Sequence, residues 1–200
     1  MSIAPRRERA LRRLMVSSAL AGLVMLAGAP ASAQFYSFSG AVNSFPVNVF
    51  PIDVFASTLD MTGNTLSVGA SAPGSFSALV GAQMKADGFN VGDGGTGTGS
   101  AVVTGASTLV QLGGTARNRL QVGNWGTGTM VVSAGAVVDA TVNANAAECT
   151  QPGFRCRSFV GNGAGSTATL TITGAGSEVR TLRAFGVGLA SVFRDRKSVV

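Results

Sequence analysis

Leu120-Gln121-Val122-Gly123-Asn124-Trp125-Gly126-Thr127-Gly128-Thr129-Met130-Val131-Val132-Ser133-Ala134-Gly135-Ala136-Val137-Val138 is a frame that three other parts of the chain repeat. Each copy opens on Val-Gly, passes a bend rich in Gly, Thr and Ser, runs through an apolar and threonine-rich segment, and closes on Gly-Ala. Val68-Gly69 leads to Gly81-Ala82, Val91-Gly92 to Gly105-Ala106, Val122-Gly123 to Gly135-Ala136, and Val160-Gly161 to Gly174-Ala175. From first glycine to last the separations are 12, 13, 12 and 13 residues, whereas successive Val-Gly pairs lie 23, 31 and 38 residues apart. A held interval joined by connections of varying length is the mark of stacked units whose loops grow on one face.

Within a frame, β-branched residues favour a pleated surface and the glycines supply corners with φ above zero. Thr169-Leu170-Thr171-Ile172-Thr173 shows the strand period best, with Leu and Ile two apart between threonines. Thr129–Ser133 and Ser100–Thr104 follow it less cleanly. So short a strand cannot bury its apolar side alone and has to stack on its sequence neighbours, about 4.8 Å apart. A glycine-rich disordered linker, suggested by 28 glycines in 200 residues, fits poorly, because alternating Leu, Ile and Val serve no purpose in a disordered chain.

Charge supports an extended β structure rather than a nucleic-acid binder. Charged residues are 12% of the chain, about half the usual share. The net charge of +6 is concentrated at the start, where Arg6, Arg7, Arg9, Arg12 and Arg13 stand with a single glutamate, Glu8. Residues 34–190 balance at seven basic against seven acidic, so no basic face is left for phosphates and nucleic acid is excluded as a partner.

Residues 1–33 have the three parts of a secretory signal: the arginines, an apolar run from Leu14 to Ala29, and Ala31-Ser32-Ala33 as the cleavage site. The expected cut follows Ala33, with Ala31 and Ala33 as the small residues the peptidase requires. The run is shorter than the ~20 residues a bilayer core demands, so a retained anchor is the weaker reading. Neither arginine pair is followed by the Phe-Leu of a twin-arginine signal. Residues 34–58 change in character, holding five of the eleven phenylalanines with Tyr36, Pro46 and Pro51. They read as an aromatic-rich cap over the bare edge of the first repeat, or alternatively as a platform for carbohydrate.

Residues 59–190 are expected to carry the repeats, broken by an insertion at 139–157 that contains both cysteines. Cys149 and Cys156, with six residues between them including Pro152-Gly153 in an exported chain, read as a disulfide closing a small protruding loop. That loop is either a variable recognition surface or decoration. Metal binding would need further soft ligands, and the chain has no histidine. Asp93-Gly94-Gly95-Thr96-Gly97-Thr98-Gly99 lacks the lysine of a phosphate loop and the serial aspartates of a calcium repeat, so no cofactor is expected. Asp93 is matched after Val-Gly by Asn124 and Asn162, a turn preference rather than a catalytic cluster. Trp125 fills a turn, either stacking there or meeting a partner. Leu182–Gly188 begins a fifth frame that is not completed, and residues 191–200 look foreign or truncated and are set outside the fold.

The frames at Val122–Ala136 and Val160–Ala175 resemble the passenger repeats of bacterial autotransporters and related surface adhesins, over about residues 60–188. The resemblance implies a right-handed parallel β-helix, the N-terminal part of a longer solenoid, exported and displayed at the cell surface or released. It also implies an outer-membrane barrel, for which this sequence carries no strands, so the chain reads as a fragment or as a protein secreted without one. The expected function is non-enzymatic: a structural and adhesive passenger, a monomer, whose loops contact a glycan or protein on a host, a matrix or a neighbouring cell. The alternative is a β-helical polysaccharide lyase or glycoside hydrolase. Such enzymes need clustered carboxylates, and the acids of residues 34–200 are never closer than Asp87 and Asp93. A third reading, an antifreeze-like or matrix-binding threonine face through Thr127, Thr129, Thr169, Thr171 and Thr173, is weakened by the irregular spacing between frames.

Overall fold

The computed structural model describes residues 35–45, 56–113, 118–141, 157–181, 185–188 and 191–196. Ala31, Ala33, Cys149 and Cys156 lie outside the described residues, so the cleavage site and the disulfide loop do too. All regular structure among the described residues is β. The strands are β1 (Tyr36–Gly40), β2 (Val42–Phe45), β3 (Thr58–Val68), β4 (Pro73–Ala78), β5 (Gln83–Asp93), β6 (Thr98–Thr104), β7 (Leu109–Leu112), β8 (Asn118–Asn124), β9 (Thr127–Ser133), β10 (Val137–Ala140), β11 (Arg157–Val160), β12 (Thr167–Thr173), β13 (Glu178–Thr181), β14 (Phe185–Val187) and β15 (Ser191–Arg196).

They form two sheets. In the first, β4, β6, β9, β12 and β15 follow one another in parallel, with β1 antiparallel on β4. In the second, the long strands β3 and β5 run side by side in parallel, and β5 then pairs with two shorter strands, β7 along its first half and β8 along its second. The split persists onward, from β7 to β10 to β13 and from β8 to β11 to β14. Between successive strands of the first sheet the chain returns to the second, through one strand or a consecutive pair, so it passes from one sheet to the other and back.

Register explains why Val-Gly recurs. Val68, Val91, Val122, Val160 and Val187 are consecutive Cα partners down the second sheet. The first four are fully buried and Val187, on the last strand, is 51% exposed. In the first sheet Phe76, Ala101, Met130 and Leu170 form the matching inward column. The Phe76 and Phe89 rings meet edge-on at 5.4 Å, joining the two sheets in one core. Each fully buried Leu or Val side chain in these columns contributes about 1.5–3 kcal/mol of hydrophobic stabilisation.

Residues 35–45 lie along the first parallel strands, β1 against β4 and β2 against β3. Tyr36 is fully buried, with Phe38 half-buried beside Phe76. Two departures from the sequence reading concern the other end. The fifth frame continues through β14 into β15, and Ser191–Arg196, set aside as foreign, pairs in parallel with β12. The register places Phe193 opposite Leu170, and Arg194, Asp195 and Arg196 opposite Thr171, Ile172 and Thr173.

The eight glycines at 69, 81, 92, 105, 123, 135, 161 and 174 all have positive φ. Those that open the frames share one column, since the valines before them are in register. The closing glycines do not. Thr104, Ser133 and Thr173 are partners, which sets Gly105 and Gly174 level with Ala134 and leaves Gly135 one residue further on. The reason is a difference in corner length. Gly92 to Thr98 and Gly161 to Thr167 span two residues more than Gly69 to Pro73 and Gly123 to Thr127, while their closing glycines arrive one residue sooner. Ala134 accordingly sits at φ 54°.

The unequal corners are joined by hydroxyls. Thr108, buried at the end of one longer turn, accepts the Gly81 N–H at 3.1 Å, and its oxygen lies 2.8 Å from the Leu79 carbonyl and 2.9 Å from that of Thr104. Ser177 repeats this in the next longer turn, accepting the Gly135 N–H at 3.0 Å and donating to the Thr173 carbonyl at 2.7 Å. At the equivalent place the shorter turns carry Ala82 and Ala136.

Candidate binding site at the first corner

The corner after Val-Gly gathers the polar side chains that the sequence had set in line. Asp93 ends β5, Asn124 ends β8 in register with it, and Asn162 follows β11. Asn124 donates from Nδ2 to Asp93 Oδ1 at 2.9 Å, and Asn162 donates from Nδ2 to Asn124 Oδ1 at 3.0 Å. Asn90 donates to the other Asp93 oxygen at 3.2 Å, while its own Oδ1 is buried without a hydrogen-bond partner. Asp93 is thus held by amides, and no group of three or more potential metal-ligating side chains occurs among the described residues.

Trp125 stands next to this ladder and is both a turn residue and an exposed one. Its φ is 73°, a left-handed conformation that a bulky side chain adopts at a cost of about 1–2 kcal/mol. An isolated antiparallel bridge to Asp93 holds its backbone. The indole lies over the corner of the next frame, where a Cβ on Gly163 would come within 2.6 Å of the ring. The residue is nevertheless 55% exposed.

Beyond the corner, the outer side of the first sheet presents hydroxyls in columns. Thr98, Thr127 and Thr167 are partners, as are Ser100, Thr129 and Thr169. All but the half-buried Thr169 are exposed, and none of these six hydroxyls bonds within the described structure. The irregular sequence spacing that weakened the threonine face is taken up elsewhere, so the columns themselves are regular. A shallow depression of about 290 Å³ opens at one end, lined by Ser39, Pro73, Ser75, Thr98 and Ser100 among others.

Sequence reasoning missed a second set of glycines. Gly99 and Gly128 are partners in register and lie where the two sheets approach each other closely. A Cβ on Gly128 would collide with the Gly123 nitrogen and the Val91 carbonyl oxygen. Their signal was the tripeptide series Pro73-Gly74-Ser75, Thr98-Gly99-Ser100, Thr127-Gly128-Thr129 and Thr167-Ala168-Thr169, which recurs with a small residue in the middle. The half-strands β7, β10 and β13, which follow each closing Gly-Ala, were missed as well.

Apart from the unequal corners, the extra residues of the varying connections fall at one place in the second sheet. Thr62–Asn64 bulge from β3 opposite Asp87, whose carboxylate accepts the Gly63 N–H at 2.9 Å. The interruption between β7 and β8, the long one between β10 and β11, and that between β13 and β14 occupy the equivalent position. Asp60 and Asp139 precede two of these departures. Each accepts from the backbone N–H and the hydroxyl of the threonine two residues on, Thr62 at 3.0 and 2.6 Å and Thr141 at 2.9 and 2.6 Å.

Comparison with protein-family models, with curated proteins and with solved structures finds no match for this chain.

Proposed function

We propose that this chain is a right-handed parallel β-helix from an exported passenger, structural and adhesive in role, secreted or displayed at the cell surface. One observation carries the reading: the sheets keep register down five successive valines while, the corners apart, the extra sequence falls between strands at one position of the second sheet. A rigid stack that tolerates growth along one line suits a stalk bearing contact loops. The arginine-led apolar segment ending in Ala31-Ser32-Ala33 supplies the export, and the stretch between Ala140 and Arg157 is the longest insertion in the sequence. The partner class is a surface glycan or protein; barrel-mediated display belongs to the same proposal. Asp93, the one carboxylate at the corner, is engaged by two asparagine amides, which suits a scaffold better than a general acid or base.

The test is expression with the native leader in a Gram-negative host. Mass spectrometry of the exported chain should find Gln34 as its first residue. Beads coated with that product should be retained on bacterial, epithelial or matrix-protein surfaces. Retention should fall when the residues between Thr141 and Arg157 are replaced by a short Gly-Ser linker. Depolymerisation of a polysaccharide by the purified product would overturn the reading in favour of an enzyme.

A further inference from the structure

We infer that the corner at Trp125 is a binding site for a neutral saccharide. The inference rests on the adhesive reading for its setting and gives it a ligand class, at a place distinct from the long insertion.

Nothing in the packing requires an indole at this position. The corner of equal length in the first frame has Ser71 at the corresponding place, and the two longer corners turn on glycines. Trp125 is held at φ 73° with one face over Gly163 and more than half its surface in solvent. A strained, exposed aromatic that adds nothing to the core points to a ligand, since such conformations concentrate at binding sites.

The surroundings specify which ligand. A sugar ring offers one face of C–H groups and a rim of hydroxyls, and the two parts need different partners. The open face of the indole suits the C–H face. The ladder suits the rim: Asn162 is exposed and uses one amide hydrogen on Asn124, leaving its carbonyl oxygen and second N–H open, with the Asp93 carboxylate two steps along. Thr127 and Thr167 add hydroxyls with no partner in the described structure, immediately after the corner. Charge decides between neutral and acidic sugars. Asp93 is bonded to amides rather than to a cation, so an anionic sugar would meet an unneutralised carboxylate in a site with many polar groups and few apolar ones.

The chain contains a single tryptophan, so its fluorescence reports this corner and nothing else. The mature exported chain is titrated with cellohexaose, chitohexaose, maltohexaose and a β-1,3-glucan hexasaccharide, with a hyaluronan hexasaccharide as the acidic probe. The expected result is a saturable shift or quench of Trp125 emission by at least one neutral sugar, at least tenfold weaker or absent with hyaluronan. Trp125→Gly is followed by calorimetry, because it removes the reporter. Glycine suits the positive φ, so Tm should be unchanged or raised while binding falls at least tenfold. Asn162→Ala, which keeps the tryptophan, should weaken binding severalfold while lowering Tm by no more than about 4 °C. Silence with all four neutral sugars, preference for hyaluronan, or full binding by Trp125→Gly would overturn the site. Bead retention that survives Trp125→Gly alongside silent titrations leaves adhesion standing and removes this site. Saturable titrations with beads that are never retained remove the adhesive reading alone.

Discussion

Asn124 Nδ2 donates to Asp93 Oδ1 at 2.9 Å across 31 residues of sequence, and Asn124 Oδ1 in turn accepts from Asn162 at 3.0 Å. One side chain is therefore donor to the frame before it and acceptor from the frame after it. Asn124→Leu removes both bonds and leaves a part-buried Asp93 oxygen and the Asn162 amide without their partners. It should destabilise the chain by about 1–3 kcal/mol in urea unfolding. Asn162→Leu, which ends the ladder without interrupting it, should cost about 1 kcal/mol or less.

Thr108 offers a sharper comparison. Its hydroxyl is buried and serves the Gly81 N–H together with the Leu79 and Thr104 carbonyls. Thr108→Val keeps the shape but takes the acceptor from the Gly81 N–H, while the Leu79 carbonyl keeps the Ala82 N–H, and should cost about 1–3 kcal/mol. Thr108→Ser should stay within about 1 kcal/mol of the parent, because Ser177 performs the same service for Gly135. A larger loss in Thr108→Ser than in Thr108→Val would show that the methyl, not the hydroxyl, matters.

Backbone conformation gives a pair of opposite expectations. Ala134 at φ 54° stores strain that Ala134→Gly releases, for a net gain of up to about 1 kcal/mol after glycine's greater unfolded-state entropy. Gly128→Ala drives a Cβ into the Gly123 nitrogen and the Val91 carbonyl, where neither backbone can yield without breaking the ladder. It should cost more than about 3 kcal/mol and broaden the thermal transition.

Tyr36 predicts a pH dependence at the alkaline end. Burial pushes its phenol up to about 12, against the lowering effect of hydrogen bonds to the backbone of Gln83 and Leu59. The folded chain therefore prefers the neutral phenol more strongly than the unfolded chain does. That contribution is complete below the ordinary phenol value of 10.0 and is lost as pH rises from there towards 12. As the only tyrosine, Tyr36 should show a single phenolate absorbance step near the upper value in the native chain and near 10.0 in denaturant. Tyr36→Phe should abolish the step and cost about 1–2 kcal/mol, since the hydroxyl bonds the Gln83 carbonyl at 2.7 Å.

The sequence disclosed whatever it repeats letter for letter. Val-Gly could be found because the same valine fills the same inward place each time, and Asp93, Asn124 and Asn162 could be set in line because each follows that pair by one residue. The closing glycines misled because 12 and 13 are sums: a corner two residues longer is followed by a glycine that arrives one residue sooner, and the total hides both changes. The half-strands Leu109–Leu112, Val137–Ala140 and Glu178–Thr181 share a place but hardly any residue identity, since each needs only apolar and polar residues in alternation. The charges of Arg194–Arg196 disguised a strand that pairs in register with β12, because the run lacks the alternation by which strands are recognised. Trp125 could be read as a turn residue, but its exposure depends on Gly163, a residue of the following frame.

Corners of unlike length alternate, and each hydroxyl at a long one reaches the glycine N–H of a short one. The heritable module of this chain is therefore two consecutive frames. A gene that duplicated a single frame would bring two corners of the same kind together. Two long ones would face each other with a hydroxyl and no glycine N–H to receive, and two short ones with a glycine N–H and nothing to receive it. Lengthening by pairs preserves the parity, so growth of such a chain over generations should proceed in even steps.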